Sequence, residues 1–460
     1  MELNFTRTGI RSIDEENTLA EQIKNAVKSK DLDAISELIK KEGTTPEYET
    51  QIKSSVLIAA IDTRDKKFIK KILDLNIEVN RSGLRYTEFH ERPIVYSIGT
   101  NDVKIFKMIL EAMGELKDRF LEVEAFSRAV RESAFQIAEY LLNTYPEKDY
   151  INDLRILGES NLMSAVSDDD YKMTKFLIDR GANVNQISND TTALCRCCDN
   201  TRITKLLLEH GADPNEGSRD GNQLPLSEAA AYGKQAVLKL LLQYGAEINK
   251  RDSYGSTALM TAVAYGRLDN VKFLLENGAD PNIKNNAGET ACHFAFVCSS
   301  ATDPDGEKIY KILHLLVHDY SAELVYDDLF VWKFMECSSA ITFKFFKEHG
   351  FDLNSSLING ENIIHSLVRR GYISDAEENL LEKAVSFGID LNHKNNYGET
   401  PLHIAAKYDA NKGSRFNYLK VLLKVGADTT IKDNKGRTPY DVAKFYGCKQ
   451  NMELLEEASV

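Results

Sequence analysis

Apolar side chains recur along this chain at the three- and four-residue spacing of helices that bury one face, in short runs broken by polar, glycine-containing turns. Residues 252–284 give the cleanest example. Asp252-Ser253-Tyr254-Gly255 predicts a turn, and Thr257 then starts a short helix whose Leu259, Ala262 and Val263 share a face. After a break at Gly266 a second helix runs from about Leu268, with Val271, Leu274 and Leu275 at helical spacing. Gly278 stands where a C-terminal capping glycine is expected, and Pro281 follows where no helix continues. The unit predicted is helix, turn, helix and extended hairpin.

Its closing phrase repeats: Gly181-Ala182-Asn183, Gly211-Ala212-Asp213-Pro214-Asn215, Gly245-Ala246-Glu247-Ile248-Asn249, Gly278-Ala279-Asp280-Pro281-Asn282, Gly388-Ile389-Asp390-Leu391-Asn392 and Gly426-Ala427-Asp428. The first four follow at steps of 30, 34 and 33 residues, the period of a stacked-repeat architecture. Such arrays grow along one axis, so the 460 residues predict one elongated body rather than three domains.

The unit resembles the ankyrin repeat. The family phrase stands intact as Thr400-Pro401-Leu402-His403 with Ala405 and Ala406 behind it and Asn396-Tyr397-Gly398-Glu399 ahead. Thr438-Pro439-Tyr440-Asp441 lacks the histidine, Thr290-Ala291-Cys292-His293 carries two changes, and Asn362-Ile363-Ile364-His365 keeps mainly the histidine. The resemblance implies that the threonine and histidine tie hairpin to helices, and that departures weaken single repeats without changing the fold. The fold expected is an all-α solenoid of about 12–13 helix-turn-helix units with short β-hairpin loops.

Four stretches divide the chain: degenerate helical repeats over 1–156, regular repeats over 157–285, irregular repeats with insertions over 286–395, and repeats with a C-terminal cap over 396–460. Insertions are read at Ser299–Gly306, Tyr372–Asp375 and Asp409–Gly413, and the unit over 326–357, ending Gly350-Phe351-Asp352-Leu353-Asn354, is weak. In the first stretch the closing phrase is missing, yet segments 30–39, 64–73, 101–110 and 132–141, followed by 169–178, align as second helices. A separate helical domain over 1–150 is the alternative. Lys449, Gln450, Asn451, Glu453, Glu456 and Glu457 give the last helix the polar exterior of a terminal cap.

A net charge of −13 argues against sequence-independent nucleic-acid binding. Met1–Arg7 lacks the apolar core of a secretory signal, and no apolar run approaches the roughly 18 residues of a membrane span. Seven unevenly spaced cysteines predict a reducing, cytoplasmic setting. The Lys/Asn/Ile-rich composition and degenerate repeats are similar to ankyrin proteins of intracellular bacteria or large viruses. The tail Glu453–Val460 resembles acidic secretion tails of such effectors, which implies delivery into a host cytosol.

Candidate chemistry is sparse. Cys195-Arg196-Cys197-Cys198 aligns with a packed stretch of small residues, and no second Cys/His pair lies at zinc-ligand spacing. His314 and His318 share a helix face, but position 315 is leucine where a catalytic zinc helix needs glutamate, so they are read as part of a half-buried second helix. Asp168-Asp169-Asp170 is read as acidic residues at a helix start. No catalytic residue, metal or cofactor is expected.

The surface expected to bind is aromatic. The repeat position just before the inter-helix glycine holds Tyr232, Tyr265, Tyr408 and Tyr446. The resemblance implies that this position faces the concave groove, and tyrosine there offers contact area at low entropic cost. Hairpin tips carrying Arg219, Tyr254, Asn286, Tyr397 and Lys435 complete the surface. Together these features predict a monomeric, noncatalytic adaptor for a protein partner. An enzyme with active groups in the 1–150 or 298–357 segments is the competing class.

Overall fold

Helix pairs recur along the described residues. A computed structural model describes residues 13–40, 46–75, 92–114, 119–146, 150–153, 158–296, 307–324, 358–370, 388–408 and 418–458, with positions 77, 79, 345, 348, 349, 354, 381, 385 and 386. The insertions read at 299–306, 372–375 and 409–413 lie outside the described residues, as do the weak 326–357 unit apart from a few positions, residues 1–7 and the last two residues of the tail.

The chain divides into two units, Met1–Arg219 and Asp220–Val460. In the first, helices pair as Ile13–Ser29 with Leu32–Ile39, Pro46–Asp62 with Lys66–Leu73, Pro93–Gly99 with Val103–Met113, Arg119–Arg131 with Phe135–Thr144, Asn161–Ser167 with Tyr171–Asp179, and Ala193–Arg196 with Thr201–Glu209. First helices pack on successive first helices. The core is the apolar face of each pair: Ile52, Val56, Ile69, Ile98, Ile105, Phe106 and Phe126 are all fully enclosed.

The first unit turns between helices without glycine. Lys30, Arg64, Asn101, Ser133 and Asp169 each adopt a left-handed φ of 52–57°. Asp31, Asp65 and Asp102 follow as N-caps, each accepting two backbone N–H groups of the next helix. Neighbouring turns are tied together, Lys30 to Asp65 at 2.6 Å and Lys66 to Asp102 at 2.7 Å. Of the Asp168–Asp170 run, Asp170 alone caps a helix start, accepting the Met173 N–H. Asp168 instead ends the preceding helix and Asp169 makes the left-handed link. Reading all three as helix-start charges is thereby corrected.

In the second unit the pairs are Pro225–Tyr232 with Gln235–Gln243, Ala258–Ala264 with Leu268–Glu276, Ala291–Phe294 with Glu307–His314, Pro401–Ala406 with Tyr418–Lys424, and Pro439–Tyr446 with Lys449–Glu457. Ile363–Arg370 is a further first helix, packed on Pro401–Ala406. Thr257 caps its helix as predicted, accepting the Met260 N–H. Among the described residues the loops between pairs are turns without strands, with one antiparallel bridge between Ser188 and Thr191.

The closing phrase is a lock between neighbours. Within a repeat, Asp213, Asp280 and Asp390 accept the backbone N–H two residues on, from Asn215, Asn282 and Asn392. Asn185 then accepts the Asp213 N–H of the next repeat at 2.8 Å, Asn249 that of Asp280 at 2.9 Å, and Asn392 that of Asp428 at 2.9 Å. Each side-chain oxygen thus satisfies a turn N–H that the helices leave without a partner.

The Thr–His phrase makes a second lock. His403 Nδ1 accepts the Thr400 N–H at 3.1 Å, and Nε2 donates to the Arg437 carbonyl of the next repeat at 3.0 Å. The ring is fully buried, and that desolvation holds its pKa below the ordinary histidine value. His365 spans to the Glu399 carbonyl at 3.0 Å, and burial drives it to about 4 even though the Asn362 side-chain oxygen lies 2.7 Å from Nδ1. Where the phrase departs, the cap survives: the Asp441 carboxylate replaces imidazole and accepts the Thr438 N–H at 2.9 Å. That bond is the leading cause of its lowered pKa.

Candidate partner-binding surface

Tyr232 and Tyr408 sit where first helices end, on backbone held by the following repeat. Buried Asn270 donates Nδ2 to the carbonyls of Ala230 and Gly233, at 3.2 and 3.3 Å, and Arg267 Nε donates to Ala231 at 2.7 Å. Asn451 does the same for the Tyr408 carbonyl at 2.9 Å and is fully buried. Its assignment to the polar exterior of the cap is therefore corrected: Asn451 lies one helical turn before buried Leu455, on the packed face.

The rings project outward. Tyr232, Tyr265, Tyr408 and Tyr446 are 52%, 47%, 60% and 53% exposed. Tyr232 and Tyr265 meet edge to face with centroids 4.9 Å apart and hydroxyls 2.6 Å apart, so two neighbouring repeats present one aromatic step. Tyr446 instead meets Phe445, centroids 5.2 Å apart. Phe445 is 72% exposed and was not among the residues selected from sequence. Its sequence neighbours Lys444 and Tyr446 are exposed as well.

Arg219, Tyr254, Asn286, Tyr397 and Lys435 are all exposed at the tips. The tips are not loose. Asn286 donates its N–H to the Tyr254 carbonyl and its Nδ2 to Ser253, both at 2.9 Å, and its oxygen accepts from Arg251. Asn434 repeats this strap with Tyr397 and Asn396. Arg219 donates its N–H to the Asp190 carbonyl, and its guanidinium lies 3.6 Å from the Asp190 carboxylate. Asn286 therefore has a scaffold role that the sequence reading did not give it, whereas the rings of Tyr254 and Tyr397 extend from pinned backbone.

The remaining candidates each have a local setting. Cys195 and Cys197 are buried, and burial pushes the Cys197 thiol up to about 12, the opposite of an activated thiolate. Cys292 is likewise raised to about 12 by burial. His293 accepts the Thr290 N–H at 3.0 Å as a helix cap. His314 and His318 do share a face, their rings stacked 4.7 Å apart. No described helix is long and apolar enough to cross a membrane.

A profile described as Ankyrin repeats (3 copies) matches residues 126–218 and 216–285, and one described as Ankyrin repeats (many copies) matches residues 385–443. Residues 126–285 and 385–443 of the chain are ankyrin repeats. The helix pairs described over these stretches have the helical, solenoid-type fold of that family. Ankyrin repeats are in general modules of protein–protein interaction. No curated protein matches the chain.

Proposed function

We propose that this protein is a noncatalytic scaffold that holds a protein partner on its first-helix ends and hairpin tips. The observation that carries the reading is the Tyr232–Tyr265 step, two exposed aromatic rings in contact, the first on backbone pinned from below by Asn270 and Arg267. Binding hot spots favour such rings because little rotamer freedom is left to lose. On this reading the helix pairs of residues 13–144 are degenerate repeats of the same kind, and Tyr397, Tyr408, Tyr446 and Lys435 lengthen the contact surface of the second unit.

The experiment is affinity capture from cytosol with wild type, Tyr232→Ala/Tyr265→Ala and Tyr244→Ala. Tyr244 is exposed at the end of a second helix in the same repeat as Tyr232, so it controls for loss of any surface tyrosine. The account expects partners recovered with wild type and Tyr244→Ala and lost from the double variant at an unchanged thermal transition. Equal recovery by all three sinks the surface assignment. An active site within 1–150 or 298–357 is the competing reading, and chemical turnover by the isolated protein would favour it.

The host-directed role rests on composition and on the acidic tail. Leu455 is buried and Glu456 accepts the Tyr440 hydroxyl at 2.7 Å, which supports a capping role for that segment. Deleting residues 453–460 and measuring delivery from the source organism separates the two roles, with undiminished delivery counting against a signal.

A further inference from the structure

Among the described residues, the strongest cluster of ligating side chains outside the tyrosine surface lies at the end of the helix Glu307–His314, where the chain passes into a π turn, Leu315–Asp319. The turn changes which residues meet. In an α-helix a residue five positions on lies about 140° round the axis. A π turn closes from i to i+5 and brings that residue back over the first. Asp319 accordingly joins His314 and His318, and one donor atom from each lies within 4.8 Å of the others.

We infer that His314, His318 and Asp319 form a binding site for a divalent transition-metal ion of the zinc class. The two imidazole rings are stacked at 4.7 Å with planes 20° apart, and His318 Nδ1 stands 3.1 Å from Asp319 Oδ1. Tetrahedral zinc, with ligand bonds of 2.0–2.2 Å, separates its donors by about 3.3 Å. The His318–Asp319 pair is already near that spacing, and rotation of the half-buried His314 side chain closes the third side. Two nitrogens and one carboxylate suit zinc, cobalt or nickel, whereas magnesium and calcium prefer all-oxygen shells.

Three protein ligands leave one coordination position open. His318 and Asp319 are 64% and 46% exposed, so that position faces solvent and accepts water or a side chain of a bound partner. Leucine at 315 supplies no general base, which assigns the site to bridging or to stiffening of the turn rather than to peptide hydrolysis.

The test uses the untagged full-length chain, titrated with Co²⁺ by visible absorption and with Zn²⁺ by competition. One equivalent is expected to bind, unaffected by excess Mg²⁺. His314→Ala and His318→Ala should each weaken binding by more than about tenfold, the lower end of what even outer-shell partners of a metal contribute. Asp319→Asn should weaken it while leaving the far-ultraviolet spectrum unchanged, which a merely structural carboxylate would not do. Equal affinities for wild type and His314→Ala/His318→Ala, or no saturable cobalt spectrum in the wild type, would overturn the assignment.

Discussion

Two glycine substitutions separate backbone strain from the tip strap. Gly278 and Gly398 both have left-handed φ, 93° and 72°. A methyl at Gly278 would meet nothing within 4 Å, so Gly278→Ala costs conformation alone. That is about 1–2 kcal/mol for an L-residue, offset by about 0.4–1 kcal/mol of unfolded-state entropy. A methyl at Gly398 would sit 2.4 Å from Asn434 Oδ1 and 2.6 Å from its backbone nitrogen. Relief requires moving the Asn434 backbone, and with it the two 3.0 Å bonds to the Tyr397 and Asn396 carbonyls. At about 0.5–1.5 kcal/mol per bond, Gly398→Ala should be less stable than Gly278→Ala by about 1–3 kcal/mol. Urea denaturation measures the difference, and hydrogen exchange of the Asn434 amide locates it. Equal destabilisation, with Asn434 still protected in Gly398→Ala, would refute a strap that holds neighbouring tips together.

Other outcomes follow from the same locks. His403 is buried as the neutral ring, its pKa lowered first of all by desolvation. Its contribution is therefore complete above the unfolded value of 6.5 and is lost as pH falls from there through the folded value. Replacing it with glutamine should flatten that limb of the stability profile, and an NMR inflection above 6.5 would contradict burial of the neutral ring. Asn270→Ala strips partners from the Ala230 and Gly233 carbonyls, a loss of about 1–3 kcal/mol by denaturation, and should weaken partner capture through Tyr232 although Asn270 is itself buried. Unchanged capture would mean that the tyrosine needs no support from below.

The regular repeats were readable because their left-handed positions demand glycine, and Gly278 or Gly426 marks where a unit closes. Between the helices of a pair, where the second unit uses Gly266 and Gly447, the first unit has Lys30, Arg64, Asn101 and Ser133 in left-handed conformation at 52–57°. A glycine search passes over them, although the N-cap aspartates Asp31, Asp65 and Asp102 keep the period. The exposed tyrosines were legible from their place beside the turn. Asn451 was misplaced because polarity suggests solvent while its helical register points to the packed face. Asn286 and the Asp319 of the π turn depend respectively on a repeat 33 residues away and on a local change of helical period, and neither is written in residue type.

The central claim, that the aromatic step is the seat of binding, is tested most directly by titrating a captured partner against wild type, Tyr232→Ala, Tyr265→Ala and the double variant. The account predicts a rise in Kd of about thirtyfold or more for the double variant, the equivalent of a hot spot of at least about 2 kcal/mol, with an unchanged thermal transition. A Kd that stays at the wild-type value in a folded double variant would contradict it.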